Sequence, residues 1–142
     1  MTARPLLLGF TVPDDVAAEL FAMDPFPSVQ THRFAWSLAR SLRFAFGEVR
    51  LLSTAPVQNW PLVPRLVFRR RAFGQQGIDG VAVGFVNVIG LKHLTRFVAV
   101  LFQSGVVLWR WKVNIVFVHG THTPWLAYGR LLQCLRLRVA VV

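Results

Sequence analysis

Residues 113–142 read VNIVFVHG, then THTPWLAYGRLLQCLRLR, then VAVV, and this stretch decides the fold class. An apolar run of strand length ends in a His-Gly pair, and Thr121 or Thr123 then begins a helical segment. A second apolar run ends the sequence. Strand, helix and strand in this order favour two parallel strands, because a helix is the usual crossover between them. We expect these residues to belong to an α/β domain that is one part of a larger protein.

The rest of the chain repeats this alternation. The patterns predict a first strand at 5–12, a short helix at 16–22, a long helix at 29–46 ended by Gly47, a strand at 48–55, a strand-rich region at 65–90 with a glycine turn at 74–80, and a helix at 92–111. The fold class expected is therefore α/β, a Rossmann-like and mostly parallel sheet with helices on both faces. The 142 residues are enough for a single domain.

Three local predictions concern burial. In the long helix, Val29, Phe34, Leu38 and Leu42 recur at helical spacing and are expected to face the core. The strands IVFV and VAVV are uniformly apolar, which predicts burial on both faces of the sheet. Cys134 lies among leucines and is expected to be buried with them.

The charge is strongly basic and unevenly distributed. The chain has 16 lysines and arginines against 6 acidic residues, and no carboxylate follows Asp79. Such an excess attracts anionic partners, which can be phosphorylated substrates, anionic lipid head groups or nucleic acid. A nucleic-acid partner is supported only by the charge, since the sequence contains no recognisable nucleic-acid-binding motif. We therefore do not expect nucleic acid as a partner.

The mean hydropathy of +0.49 raises the question of a membrane span. The charge-free run 97–109 is 13 residues long, and a spanning helix needs about 20. A buried or interfacial helix is therefore expected. With one cysteine and no secretory leader pattern, we expect a cytoplasmic protein, peripheral at the inner face of the membrane.

Two loops carry the side chains best suited to a ligand. In a sheet of this class, ligands bind at the carboxyl ends of strands, near helix N-termini. Residues 25–32, PFPSVQTH, offer Ser28, Gln30, Thr31 and His32 there. These groups suit a phosphate or a sugar hydroxyl. The alternative is that Ser28 only caps the helix and His32 is a surface side chain.

The second loop, HGTHTP at 119–124, follows a buried strand and offers His119, Gly120, Thr121 and His122. The glycine allows a tight exit or a close ligand. A structural histidine is the alternative interpretation of His119. Two histidines without a nearby carboxylate or cysteine are a weak ligand set, so no metal is predicted. Elsewhere, Arg69–Arg71 can hold a phosphate or form a solvated run.

Both loops resemble segments of one enzyme family. Pro27–His32 followed by FAWSLARSL, with Gly47–Leu51 after it, is similar to the first loop, helix and strand of retaining GT-B glycosyltransferases of family four. Asn114–Gly120 resembles the His-containing strand of that family, and Thr123–Ala127 its next helix start. Pro27-Ser28 stands where the family commonly has Gly-Gly, and Asn114 where it has aspartate.

The resemblance implies the N-terminal, acceptor-side domain of such an enzyme, spanning residues 1–142, with the C-terminal donor-binding domain supplied in cis or in trans. It implies sugar transfer from a nucleotide-sugar to a glycan or lipid-linked acceptor in cell-envelope or exopolysaccharide synthesis, without another cofactor. Ser28, Gln30, Thr31 and His32 would line the donor-phosphate edge of the cleft. His119, Gly120, Thr121 and His122 would lie on the acceptor side. The catalytic residues are not assigned.

A second function class rests on composition instead of resemblance. The segment 80–142 contains no acidic residue, and within it Trp109 and Trp111 alternate with Arg110 and Lys112. Aromatic and basic residues together are typical of segments that lie on an anionic membrane surface. The alternative expectation is therefore a non-catalytic module that binds membranes or other anionic ligands.

Overall fold

The computed structural model describes residues 3–120 and 123–142. Within them the elements are, in chain order, β1 (Pro5–Gly9), α1 (Asp14–Met23), α2 (Val29–Phe46), β2 (Arg50–Ser53), β3 (Val67–Phe68), β4 (Arg71–Gln75), β5 (Ile78–Ala82), β6 (Phe85–Val86), α3 (Leu91–Trp111), β7 (Ile115–Val118), α4 (Thr123–Cys134) and β8 (Arg138–Val141).

Six strands form one mostly parallel sheet in the order β4-β5-β2-β1-β7-β8. Each neighbouring pair is parallel except β4 and β5, which are antiparallel. The short strands β3 and β6 pair with each other in a separate antiparallel ribbon. The expectation of a mixed α/β fold with a mostly parallel sheet is confirmed.

Helices cover both faces of this sheet. Successive residues of a strand point to opposite faces. Leu6 and Leu8 of β1 pack in a cluster with α3 and α4, whereas Leu7 packs with α2. All three leucines have no exposed surface. β1 is therefore the fully enclosed centre of the sheet.

The burial prediction for IVFV in β7 is confirmed, since each of its residues is buried or half-buried. The prediction for VAVV is wrong, because β8 is an edge strand and its valines are half-buried or exposed. The prediction for Cys134 is wrong as well. Cys134 is exposed, because α4 buries the face of Trp125, Tyr128 and Leu132.

The third burial prediction, for α2, is wrong about which face of the helix is buried. The bounds Val29–Phe46 and the stop at Gly47 are confirmed. The buried face consists, however, of His32, Ala35, Trp36, Ala39 and Leu42. Only Leu42 belongs to the predicted set. The indole of Trp36 is turned inward, where it donates to the Val12 carbonyl, and Phe34 is 56% exposed.

The glycine-rich segment forms a tight hairpin that is narrower than predicted. The turn lies at Gln76-Gly77, where both residues have positive φ, 54° and 69°. This pair of angles is typical of a two-residue hairpin turn. Gly74 and Gly80 lie inside the strands. A side chain at Gly80 would meet the Phe73 ring at 2.6 Å, so the glycine permits close packing there.

A third apolar cluster lies beyond the carboxyl edge of the sheet. It joins α1 to the β3–β6 ribbon through Leu20, Val57, Phe68 and Phe85, among others. The rings of Phe68 and Phe85 stack at 4.7 Å between centroids. Gly84 packs closely against the backbone of Phe68 in this region, since a Cβ at position 84 would lie 2.8 Å from the Phe68 carbonyl oxygen.

α3 is apolar outside and partly cationic inside. An exposed stripe runs along one face of it, comprising Leu94, Val98, Phe102, Val106 and Trp109, and we call it the α3 stripe. By length and composition, α3 is the helix in the described part of the chain that meets the requirements of a membrane span, and 28% of its most apolar window is buried in the fold. Core helices of water-soluble proteins meet the same requirements. The helix bounds match the prediction for 92–111. The expectation of a buried or interfacial helix stays a prediction, since α3 is long enough to span a membrane.

The inner face of α3 buries two cations, Lys92 and Arg96. The Lys92 ammonium donates to the Val57 carbonyl, and Arg96 Nη2 donates to the Ala55 carbonyl at 2.6 Å. The guanidinium also lies 4.0 Å above the Phe85 ring, a cation–π contact. These bonds attach α3 to the segment that leaves β2.

Burial lowers the pKa of both cations. Burial, and then the charge of Arg96, lower the Lys92 pKa to about 8, against the opposing effect of the Asp24 carboxylate. Burial alone lowers the Arg96 pKa to about 9. Both groups are therefore charged at neutral pH, although Lys92 loses its proton within the range of ordinary buffers.

The first prediction compares two glycines. Gly84→Ala should destabilise the fold by about 1–3 kcal/mol, because the new methyl group overlaps the Phe68 carbonyl. Gly105→Ala is the matched control: the position is in the middle of α3 and open space surrounds it. It should stabilise by about 0.5–1 kcal/mol through helix propensity. Urea unfolding of both variants measures the difference, and equal effects of the two would contradict the close packing at Gly84.

The second prediction concerns Lys92 and pH. Between about pH 8 and 10.5 the unfolded chain holds a proton on this lysine that the folded chain has lost. The free energy of unfolding therefore rises with pH over this interval. The rise should be about 1 kcal/mol, since solvent screens part of the full shift. Lys92→Met should lack this rise.

Urea unfolding of the wild type and of Lys92→Met at pH 7.5 and pH 10 measures the effect as a difference between slopes. Titratable groups away from Lys92 are the same in both proteins, so their contributions cancel, and the difference between the slopes reports Lys92 together with its effect on Arg96. Equal slopes in the two proteins would show that Lys92 keeps its ordinary pKa in the fold.

Candidate functional site

The order of the strands defines one point at the carboxyl edge of the sheet. Starting from β1, the chain adds β2 and β5 on one side and then β7 and β8 on the other. The connections after β1 and β7 therefore lead away from each other although the two strands are neighbours. In open α/β sheets such a reversal leaves a crevice in which ligands bind.

His119 lies directly at this point, one residue beyond β7. Its backbone N–H donates to the Leu8 carbonyl at 2.9 Å, which continues the pairing with β1. The side chain packs against Gly9, where a Cβ would lie 3.3 Å from the His119 Cβ. The ring is also 5.1 Å from the Phe34 ring, in a tilted arrangement. The two strand ends and α2 thus hold the imidazole in place.

The His119 imidazole is 7% exposed, and its Nδ1 makes no hydrogen bond within the part of the chain that the structure describes. Burial lowers its pKa below the ordinary value of 6.5. The ring is therefore neutral at pH 7, and a neutral imidazole has one nitrogen that accepts a hydrogen bond. The ring can therefore accept a hydrogen bond at one nitrogen without first losing a proton, although Nδ1 itself is enclosed by the protein.

The rest of the second loop is only partly described. Gly120 has φ 81°, a conformation that favours glycine, and its N–H donates to the Val142 carbonyl at 3.0 Å. The tight exit predicted after β7 is thus present. Thr121 and His122, which were predicted with it, lie outside the described residues.

His32 has a structural place that neither sequence interpretation anticipated. The side chain is buried, neither on the surface nor open to a ligand. Its Nε2 lies 2.9 Å from the Val12 carbonyl oxygen, and the Trp36 indole donates to the same oxygen at 2.8 Å. The Phe21 ring contacts the imidazole edge-on at 5.6 Å. His32 therefore fixes the segment that follows β1 against α2.

The other three residues of the first loop remain accessible at the start of α2. Ser28 occupies the cap position but its side chain makes no capping hydrogen bond. Gln30 is exposed, and Ser28 and Thr31 are half-buried. The first backbone N–H groups of a helix have no partner within the helix, so they attract anions and hydroxyl groups. Phosphate binding at the start of α2 stays a prediction.

The two predicted loops meet at one edge of the sheet, and their contact runs through Phe34, which belongs to neither. The sequence indicates Phe34 only as a large aromatic residue in the second turn of α2, and its spacing predicts that it faces the core. The cations Lys92 and Arg96, which hold the exit of β2 at the same edge, had no signal, since they belong to a mostly apolar helix. Among residues 3–120 and 123–142, no three histidine, cysteine or acidic side chains are close enough to bind a metal.

The sequence was compared with protein-family models, with curated proteins and with solved structures, and it matches none of them.

Proposed function

We propose that the chain is the acceptor-side, N-terminal domain of a GT-B glycosyltransferase. The observation that carries this proposal is the position of the two segments that resemble the family. Both lie at the carboxyl edge, one on each side of the strand-order reversal between β1 and β7, and Phe34 and His119 join them at 5.1 Å. The order of the parallel strands supports a doubly wound, Rossmann-like sheet, which is the finer fold that the family resemblance implies.

In this proposal the crevice holds the acceptor, and a second domain presents a nucleotide-sugar. The bond between the anomeric carbon and the phosphate oxygen breaks, and the acceptor hydroxyl forms the new glycosidic bond. The nucleoside diphosphate leaves, and the hydroxyl proton passes to a base. The reaction requires no cofactor beyond the nucleotide-sugar.

Each loop has a separate part in this reaction. His119, which burial keeps neutral, accepts a hydrogen bond from an acceptor hydroxyl and orients it. The start of α2, with Ser28, Gln30 and Thr31, faces the donor phosphates. His32 has an indirect part, because it is bonded to Val12 and positions the loop.

A second candidate function, a module that binds anionic membranes, is favoured by the α3 stripe. Phe102 and Trp109 are 79% and 82% exposed, an unusual amount of apolar surface for one helix. Arg110 and Lys112 follow at its end, and residues 80–142 contain no carboxylate to repel anionic lipid. A helix of this kind lies in the plane of the interface, its apolar side among the acyl chains. This function is compatible with the first, and a cytoplasmic enzyme with lipid-linked acceptors would use both.

The third prediction tests glycosyl transfer with the full-length native protein that contains these residues. With a panel of nucleotide-sugars and a lipid extract of the source membranes, one donor should release nucleoside diphosphate only when the extract is present. His119→Asn should lower kcat/KM by about tenfold, the value of one hydrogen bond in the transition state. Arg130→Gln, an exposed change on α4, should leave it unchanged. No release with any donor, or equal rates for His119→Asn and the wild type, would contradict the proposal.

The fourth prediction tests membrane binding by co-sedimentation with vesicles of phosphatidylcholine and phosphatidylglycerol. Phe102→Ser with Trp109→Ser should lower binding at least tenfold, because two large apolar side chains no longer enter the interface. Phe44→Ser is the matched control, since Phe44 is 95% exposed on α2, away from the stripe. Wild-type binding should weaken steeply with salt. Equal loss in the control, or binding that is independent of salt, would remove support for this function.

A further inference from the structure

The proposed function leaves unused a cavity of about 450 Å³ on the other side of β1. It lies above the carboxyl ends of β1, β2 and β5, and α1 and β3 form its walls. The volume is within the range of sites that bind small organic molecules. It is separate from the crevice at His119, which lies between β1 and β7.

The inner wall of this cavity is apolar. It consists of side chains that are themselves nearly inaccessible to solvent, Val12, Leu20, Ala55, Phe68 and Val83. Water in such a space makes few hydrogen bonds, so an apolar group that displaces it gains free energy. The inner wall therefore favours the hydrocarbon part of a ligand.

The outer wall, by contrast, carries four arginines, Arg65, Arg69, Arg70 and Arg71. Arg65 forms an ion pair with Glu19 at 2.6 Å, and Arg71 forms one with Asp15 at 3.2 Å.

Arg70 donates to the Gln103 amide oxygen at 3.1 Å, which leaves its positive charge uncompensated. Arg69 has no ion pair or hydrogen bond to any described residue. The four guanidinium groups and two carboxylates leave two net positive charges at the mouth.

Backbone packing holds these arginines at the mouth. Gly84 follows β5, and a Cβ there would lie 3.0 Å from the Arg70 backbone nitrogen. The glycine thus lets the segment Arg69–Arg70 lie directly against the end of β5. β3 is also paired with β6 at this point, and Arg65 lies over the Phe68 ring at 5.5 Å. The charged mouth is consequently fixed above the apolar interior.

We propose that this cavity binds an amphipathic phosphate monoester, with the hydrocarbon part inside and the phosphate at Arg69 and Arg70. A phosphate carries a charge of about −1.5 to −2 at pH 7, which matches the two uncompensated positive charges. Guanidinium groups bind its oxygens through paired hydrogen bonds. A carboxylate carries one negative charge and compensates only half of the positive charge at the mouth, and a neutral alcohol compensates none of it. The inference goes beyond glycosyl transfer and does not depend on it, since it concerns other residues and requires no sugar donor.

The fifth prediction uses octyl phosphate as the probe, with titration calorimetry below its micelle concentration. Octyl phosphate should bind at least tenfold more tightly than octanoate, and octanol more weakly still, because each loses charge-assisted hydrogen bonds. Inorganic phosphate should also bind at least tenfold more weakly, because it leaves the apolar interior empty. Equal affinity for octanol and octyl phosphate would overturn the proposal, and so would equal affinity for inorganic phosphate.

Variants locate the site. Arg69→Gln with Arg70→Gln should lower the affinity for octyl phosphate at least tenfold. Arg130→Gln with Arg138→Gln is the matched control, since it removes the same charge from exposed positions on α4 and β8. All four positions are on the surface, and circular dichroism checks that each double variant folds. The proposal is overturned if the two double variants lose affinity equally, because a diffuse charge effect then explains the binding.

Discussion

The enclosure of β1 is the constraint on which the rest of the structure depends. Its leucines have no exposed surface, and both edges of the strand are hydrogen-bonded, to β2 and to β7. A strand buried in this way has to have helices on both faces, and α2 on one side with α3 and α4 on the other provide them. At its carboxyl end, the connections that follow β1 and β7 diverge toward opposite edges of the sheet. The crevice and the arginine-lined cavity lie on either side of that end.

The sequence predicted those features that depend on local pattern. The limits of α2 follow from an amphipathic period between Ser28 and a glycine with positive φ, both of which are local. The loops at 25–32 and 119–124 were found because carboxyl ends of parallel strands share an edge, which is a property of the fold class. Their contact through Phe34 and His119 agrees with that reasoning.

Features that depend on distant neighbours were not predictable in this way. β8 is as apolar as β7, and only its position at the edge of the sheet decides that its valines are exposed. α3 was expected to bury apolar side chains, yet it buries Lys92 and Arg96. The carbonyls of Ala55 and Val57 accept hydrogen bonds from these cations, and no pattern in either segment indicates that the two meet. His32 was likewise placed by the Val12 carbonyl, twenty residues away.

The contact between Gly9 and His119 limits how this sequence can vary. A Cβ at position 9 would approach the His119 Cβ to 3.3 Å, closer than side chains in proteins normally pack. A residue larger than glycine at position 9 therefore fits only if His119 moves by a few tenths of an ångström. The missing side chain at the end of β1 thus sets the position of the His119 ring, and with it the shape of the crevice between β1 and β7.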